Sequence, residues 1–295
     1  MNTAESVALR VPGLSRRLRL AVHDARDRVI SRRIRREGIW EPYETSLLRA
    51  FLKPGDVFVD VGANVGYFAV IAAERVGARG RVFAFEPDPD NYRLLCHNAR
   101  LNGFERRIEA VCAGLSDRAG EGALYLSEDN LGDHRIFAGG DGRHWVPVRL
   151  YRGADFLASR PRHLDLVKID TQGAEYRVIN GLLPLFSKMP QPPRILVELT
   201  PFDLRRAGSS GRELIALLAR LGQPMWIVDH VEHRLAPSTA ADLALWCDNI
   251  DDCAGDRGFM NILVGPGLDA AGGESATGAA NAGMIAPHNC DQSFS

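Results

Sequence analysis

From Asp56 onward the chain alternates short β-rich runs with helical patterns, and this alternation points to a parallel sheet with crossover helices. DVFVDV supplies the first strand, Gly66 to Val76 a helix, and RVFAFEP the second strand after the turn GARG. DPDNYRLLCHNARLNG reads as a helix with an Asp cap at its start and Asn102-Gly103 at its stop. IEAVCAGLS is the third strand, LDLVKID the fourth and RILVEL the fifth, with the helix AEYRVINGLLPLF between the last two. Leu214, Leu217, Leu218 and Leu221 recur at helical spacing, and MWIVD and FMNILVG close the series. The result is an α/β, doubly wound, seven-stranded domain. An insert between strands three and four, roughly Gly120 to Arg160, reads as a hairpin excursion or a lid.

Residues 41–265 therefore form the folded domain, flanked by two different segments. Residues 1–40 carry Arg10, Arg16, Arg17, Arg19, Arg26, Arg28, Arg32, Arg33, Arg35 and Arg36 against Glu5, Asp24, Asp27 and Glu37. They read as a basic helical segment, with a helix from Leu14 to Arg36 that packs on the domain, joins a partner subunit of a homo-oligomer, or meets an anionic surface. Residues 266–295 are rich in Gly, Ala and Ser and read as a disordered tail. Across the whole chain Lys+Arg 36 nearly balances Asp+Glu 37, so no nucleic-acid partner is expected. No run approaches the roughly 18 apolar residues of a membrane span, and a cytoplasmic location follows as the default. The cysteines Cys96, Cys112, Cys247, Cys253 and Cys290 are scattered without a Cys-x-x-Cys pair, and read as reduced, mostly buried thiols.

The break in VDVGANVGYFAVIAAE, at the end of the first strand, lies where ligands bind in doubly wound sheets. Gly62 and Gly66 are the positions where backbone can approach a ligand closely. The run Gly62-Ala63-Asn64-Val65-Gly66 lacks the middle glycine of the dinucleotide fingerprint, which disfavours a nicotinamide-dependent oxidoreductase. Asp60, directly before the turn, would repel a pyrophosphate and suits a cationic ligand such as one bearing an ammonium and a sulfonium. Glu86 ends the second strand, where a carboxylate accepts from both hydroxyls of a ribose.

FVDVGANVGYFAVIAAERVGARGRVFAFEPDPDNYRLLCHNARLNG, AGLSDRAGEGALYLSEDNLGDH and LDLVKIDTQGAEYRVINGL resemble the FkbM family of S-adenosylmethionine-dependent methyltransferases. The resemblance implies a class I methyltransferase (Rossmann-like) fold, with an antiparallel seventh strand inserted between strands five and six. It implies an O-methyltransferase using S-adenosyl-L-methionine on a small-molecule hydroxyl, of a sugar, glycoside or polyketide-type natural product. Asp60, Gly62, Asn64, Gly66, Tyr67, Glu86 and Pro87 then form the cofactor set, and Ser116 and Asp117, at the end of the third strand, flank the adenine. Where many family members have KIDVEGAE this chain has KIDTQGAE, so Gln172 stands in place of an acid.

Methyl transfer to an alcohol needs a general base or a metal ion near the hydroxyl. Asp170, at the end of strand four, is the first candidate, because an unpaired carboxylate on a buried strand is costly without purpose. Glu175, Glu198 and His134 are further catalytic candidates, His134 reaching in from the Asn130, Asp133, His134 cluster of the insert. Asp170, Glu198, Asp133 and His134 together are the candidate ligands of Mg²⁺ or Mn²⁺. A non-catalytic methyltransferase-like binding protein is the remaining alternative, raised by Gln172.

Overall fold

In the computed structural model, residues 6–160, 163–253 and 255–268 are described. The chain begins with β1 (Ser6–Ala8) and β2 (Arg19–Ala21), then α1 (Ile30–Glu37) and α2 (Pro42–Phe51). The first half of the domain follows as β3 (Val57–Val61), α3 (Tyr67–Val76), β4 (Arg81–Phe85), α4 (Pro89–Leu101) and β5 (Ile108–Val111). The insert contributes β6 (Gly114–Ser116), β7 (Gly120–Tyr125), β8 (Trp145–Arg152) and α5 (Gly153–Leu157). Next come β9 (Leu166–Ile169), α6 (Glu175–Phe186), β10 (Arg194–Leu199), α7 (Pro201–Arg206) and α8 (Gly211–Ala219). The remaining elements are β11 (Met225–Asp229), β12 (Arg234–Ser238), α9 (Ala240–Asp252) and β13 (Met260–Val264).

The main sheet has the order β12-β11-β13-β10-β9-β3-β4-β5. Strands β10, β9, β3, β4 and β5 are parallel, whereas β13 runs antiparallel between β10 and β11. This is the class I methyltransferase order expected above, with one correction: the sheet is eight-stranded, because β12 pairs on the outer edge of β11. The strand Arg234–Ser238 carries Pro237 and polar neighbours, a composition suited to an edge and silent in a hydrophobicity scan.

Side-chain alternation divides the sheet's two faces. Val57, Val59 and Val61 join the core built with α6, α8 and α9, while Phe58 joins the core under α2 and α3. Phe58 and Phe186, each wholly buried, contribute roughly 1.5–3 kcal/mol apiece to the two cores.

The expectation for residues 1–40 requires correction, since among the described residues 6–40 only Ile30–Glu37 is helical. The alternation Leu18, Leu20, Val22 buries one side of an extended strap, and β2 pairs with β1. Its outer edge is satisfied by asparagine side chains of α4. Asn98 Oδ1 accepts from Ala21 N at 2.6 Å while its Nδ2 donates to Ala21 O at 2.8 Å, and Asn102 repeats the pattern on Arg19 at 3.0 and 2.7 Å.

The predicted third strand also divides. Ile108–Val111 stays in the main sheet, but Gly114–Ser116 leaves it to pair with β8 in a three-stranded sheet that contains the β7–β8 hairpin of the insert. Pro266–Leu268, assigned above to the tail, continues the domain: Arg194 Nε donates to Pro266 O at 2.7 Å, and Gly267 lies against Trp226. The rest of the expected tail, 269–295, lies outside the described residues. Cysteine burial was overestimated, since Cys112 and Cys253 are exposed and Cys247 is buried. No described helix is long and apolar enough to cross a membrane.

Candidate active site

A cleft opens at the carboxyl ends of β3, β4 and β9. Its floor is Val61, Gly62 and Asn64; one wall is Phe85, Glu86 and Pro87; the opposite wall is Asp170, Thr171 and Gln172. The insert roofs it with Leu124, Leu131, Gly132, His134 and Ile136, while Gly114 and Leu115 close one end. A cleft lined mostly by apolar groups, with a few convergent polar ones, suits a small organic cofactor.

The turn at Gly62–Gly66 leaves no amide for an anion. Gly62 N and Ala63 N both donate to Phe85 O, Asn64 N donates to Glu86 Oε2 at 2.7 Å, Val65 N to Asn64 Oδ1, and Gly66 N to Ala63 O. A phosphate-cradling turn needs free N–H groups, so the geometry disfavours a dinucleotide. Both glycines are required by the fold, and Gly62 also lines the cleft. A Cβ on Gly62 would lie 1.9 Å from the Asp170 carbonyl oxygen, one on Gly66 would lie 2.5 Å from Leu95, and both residues have left-handed φ, 86° and 85°.

Glu86 faces the cleft and is held in place by its neighbours, accepting from Asn64 N and, at 2.9 Å, from Asp88 N. Burial pushes its carboxyl up to about 8, against the pull of those two amides. Asp60 is placed differently from the expectation. It sits on the face shared with Phe58, in register with Lys168, and does not line the cleft. Burial raises its carboxyl to about 7 while the Lys168 charge lowers it, and its Oδ2 is buried without a hydrogen-bond partner. Tyr67 is likewise a core residue, its hydroxyl 3.1 Å from Thr45 Oγ1. Ser116 and Asp117 do not line the cleft. The Ser116 carbonyl packs on Gly181 of α6 because β6 has turned toward the insert, and Leu115 takes the wall position.

The far wall gathers charge. Asp170 Oδ2 accepts from Lys168 Nζ at 2.9 Å, and Asp170 Oδ1 accepts from Gln172 Nε2 at 2.9 Å. Burial works to raise the Asp170 carboxyl, but Lys168 and Gln172 outweigh it and hold the group below the ordinary carboxylate range. Gln172 Nε2 also donates to Glu198 Oε2 at 2.9 Å. Burial, with Asp170 and Glu175 nearby, pushes Glu198 well above its ordinary value. Asp170 is thus the anion of the pair.

Glu175 has another task. It is fully buried, and Oε1 accepts from Thr171 N and Thr171 Oγ1, both at 2.9 Å, while Gly173 N reaches Oε2 at the same distance. It shapes the loop that presents Asp170 and does not line the cleft.

His134 lines the cleft, but its Nδ1 accepts from Ser127 N at 3.0 Å. The hydrogen of the neutral ring therefore sits on Nε2, so His134 donates into the cleft and is not a base there. Burial lowers its basicity further. Asp133 turns away and is bound by Arg135 at 3.0 Å and Arg143 at 2.6 Å. The expected metal set is therefore not assembled, and among the described residues no group of His, Cys, Asp and Glu is arranged to hold a metal ion.

Sequence reasoning missed Asn91, Leu131 and Lys168. Asn64 Nδ2 and Asn91 Nδ2 both donate to Leu131 O, at 3.1 and 3.0 Å, drawing the insert over the Gly62–Gly66 turn. Lys168 was detectable as a charge inside the buried run LDLVKID, which needs a partner. The roof is latched through Arg135, which pairs with Asp133, Asp141 and Asp203, and through Phe137, which packs on Gly173.

Comparison with known proteins adds a family. The profile of the Methyltransferase FkbM domain matches residues 60–225, more than half of the chain. Methyltransferase sdnD of Sordaria araneosa is 29% identical over 163 residues, covering 45% of this chain and 62% of that protein. The hexuronic acid methyltransferase AglP of Haloferax volcanii is 29% identical over 146 residues, 47% of this chain and 56% of that protein. A tRNA (guanine(37)-N(1))-methyltransferase of Xenopus tropicalis is 40% identical over 74 residues, 24% of this chain and 14% of that protein. The chain spans less than two thirds of the length of each of these relatives.

Proposed function

Because this chain belongs to the FkbM methyltransferase family, we propose that it transfers a methyl group from S-adenosyl-L-methionine to a hydroxyl of a small molecule, a sugar or a related natural product. The observation that carries the reading is the position of Asp170, an anionic carboxylate on the wall of the cleft opposite Glu86. The cleft fits the cofactor: Glu86 suits the ribose hydroxyls, and Phe85, Leu115, Leu124 and Ile136 supply an apolar seat for adenine. When bound, that cofactor supplies an electrophilic methyl on a sulfonium. Asp170 would accept the hydroxyl proton as the oxygen–carbon bond forms and the methyl carbon–sulfur bond breaks, the electron pair leaving with the S-adenosylhomocysteine thioether, and Lys168 and Gln172 orient its carboxylate for that transfer. Leu131 and Ile136, held down through Asn64 and Asn91, exclude water from the reacting atoms. No step is assigned to a metal ion, since Asp133 and His134 do not join Asp170 and Glu198.

The sugar reading is supported by the hexuronic acid methyltransferase relative and by the polar side chain of Gln172 on the cleft wall. Incubation of the purified chain with S-adenosylmethionine and the methyl glycosides of glucose, rhamnose and glucuronic acid, read by mass spectrometry, tests it. The expected result is a singly methylated glycoside. Stabilisation of the protein by NADPH but not by S-adenosylhomocysteine in a thermal-shift assay would overturn the reading.

A further inference from the structure

Gln172 holds a position that a glutamine does not occupy without cause. Its φ is 52°, in the left-handed region, where a residue with a Cβ is strained. That backbone sends the side chain between two carboxylates, and each hydrogen of its single amide nitrogen is used: one on Asp170 Oδ1 and one on Glu198 Oε2, each at 2.9 Å. The amide orientation follows from Asp170, because its carboxylate oxygen needs a donor and the Gln172 carbonyl would repel it.

The surroundings show why such a group is needed. Asp170 is faced by Lys168 from its own strand β9, by Glu198 from β10, by Asp60 from β3, and by Glu44 of α2. Glu41, just before α2, adds another carboxylate near Lys168 and Glu198. Lys168 is the one full positive charge in that set, and it contacts only the Oδ2 side of Asp170. The Oδ1 side, toward Glu198, has the Gln172 amide as its donor.

We propose that Gln172 is a positioning residue: by bridging Asp170 to Glu198 it keeps Asp170 the deprotonated member of the pair and aims it into the acceptor side of the cleft. The inference rests on the reading of Asp170 as the base. Glu198 accepts the other amide hydrogen, and burial together with the nearby Asp170 charge pushes it toward the protonated state.

The test is the titration of Asp170 itself in the full chain, by carbon-13 NMR of protein labelled at aspartate carboxyl carbons, with the Asp170 resonance identified by its loss in Asp170→Asn. Gln172→Met keeps the length and removes both donors; Gln172→Glu replaces them with a third carboxylate. In both, the Asp170 midpoint is expected to rise by about one pH unit or more, the scale of losing one hydrogen bond to the charged form. S-adenosylhomocysteine affinity by calorimetry should stay within about twofold of wild type, because the Gln172 amide faces Asp170 and Glu198 and not the Glu86 wall. An unchanged midpoint in Gln172→Met overturns the inference, whether or not Gln172→Glu folds. So does a loss of S-adenosylhomocysteine affinity with an unmoved midpoint, which would assign Gln172 to the cofactor. The reading of Asp170 as base is tested apart from this, by turnover of Asp170→Asn, so either can fail alone.

Discussion

The Glu86 wall and the Asp170 wall of the cleft solve the burial of polar groups in opposite ways. On the Glu86 side one carboxylate is fixed by backbone amides only two and twenty-two residues away, Asp88 and Asn64, and no charged side chain is bonded to it. On the Asp170 side, side chains from β9, β10 and the loop after β9 hold one another, with Lys168, Gln172 and Glu198 all required. The first arrangement suits recognition of a constant ligand; the second sets a protonation state. Binding and chemistry are therefore expected to separate by wall.

The largest effect that tests this separation is Asp170→Asn. Loss of a general base lowers turnover by roughly 10²–10⁴-fold, and initial rates with the methylated glycoside measure it. A variant turning over at the wild-type rate removes the chemical role from that wall.

Gly62→Ala should breach the separation, because Gly62 is where the two walls touch. Its new Cβ meets the Asp170 carbonyl oxygen in a left-handed backbone. Strain and overlap together are expected to destabilise the fold by about 3 kcal/mol, read by urea unfolding. Wild-type stability would mean that β3 and β9 shift apart without penalty.

A smaller effect concerns pH. Glu86 titrates at about 8 in the folded chain, above an ordinary value of 4.5, so the native state binds more protons than the unfolded one between those limits. Stability of the ligand-free protein contributed by this group is full below about pH 4.5 and is lost as pH rises toward 8. Asp60 and Glu175, raised by burial to about 7, act with the same sign. Glu86→Gln should flatten the fall in melting temperature between pH 5 and pH 8, whereas a slope as steep as wild type would place the titration elsewhere.

The two walls also differed in how far they could be read in advance. Glu86 was accessible because it ends the second predicted strand, whereas Asn64 and Pro87 came from the family resemblance; all three line the cleft. Asp170 was accessible for the same reason as Glu86. Its pairing with Lys168 and Gln172 is local, each two residues away, whereas Glu198 joins them only through the register of β9 on β10. Asp60 was misplaced for a related reason: alternation puts it on the face of Phe58, opposite Val61, and the turn after it does not reverse that. Ser116 failed because the strand IEAVCAGLS divides between two sheets, a choice made by the insert. The α4 asparagines that hold the amino-terminal strap are ordinary helix residues until β2 is beside them.

The separation of binding from chemistry is tested most directly by calorimetric titration of S-adenosylhomocysteine into wild type, Glu86→Ala and Asp170→Asn. At pH 9, above the value of about 8 at which Glu86 ionises, the account predicts equal affinity for wild type and Asp170→Asn, and a loss of roughly 10- to 100-fold for Glu86→Ala, the worth of a hydrogen bond to a charged group. Equal affinity in Glu86→Ala and wild type, or an equal loss in both variants, would contradict it.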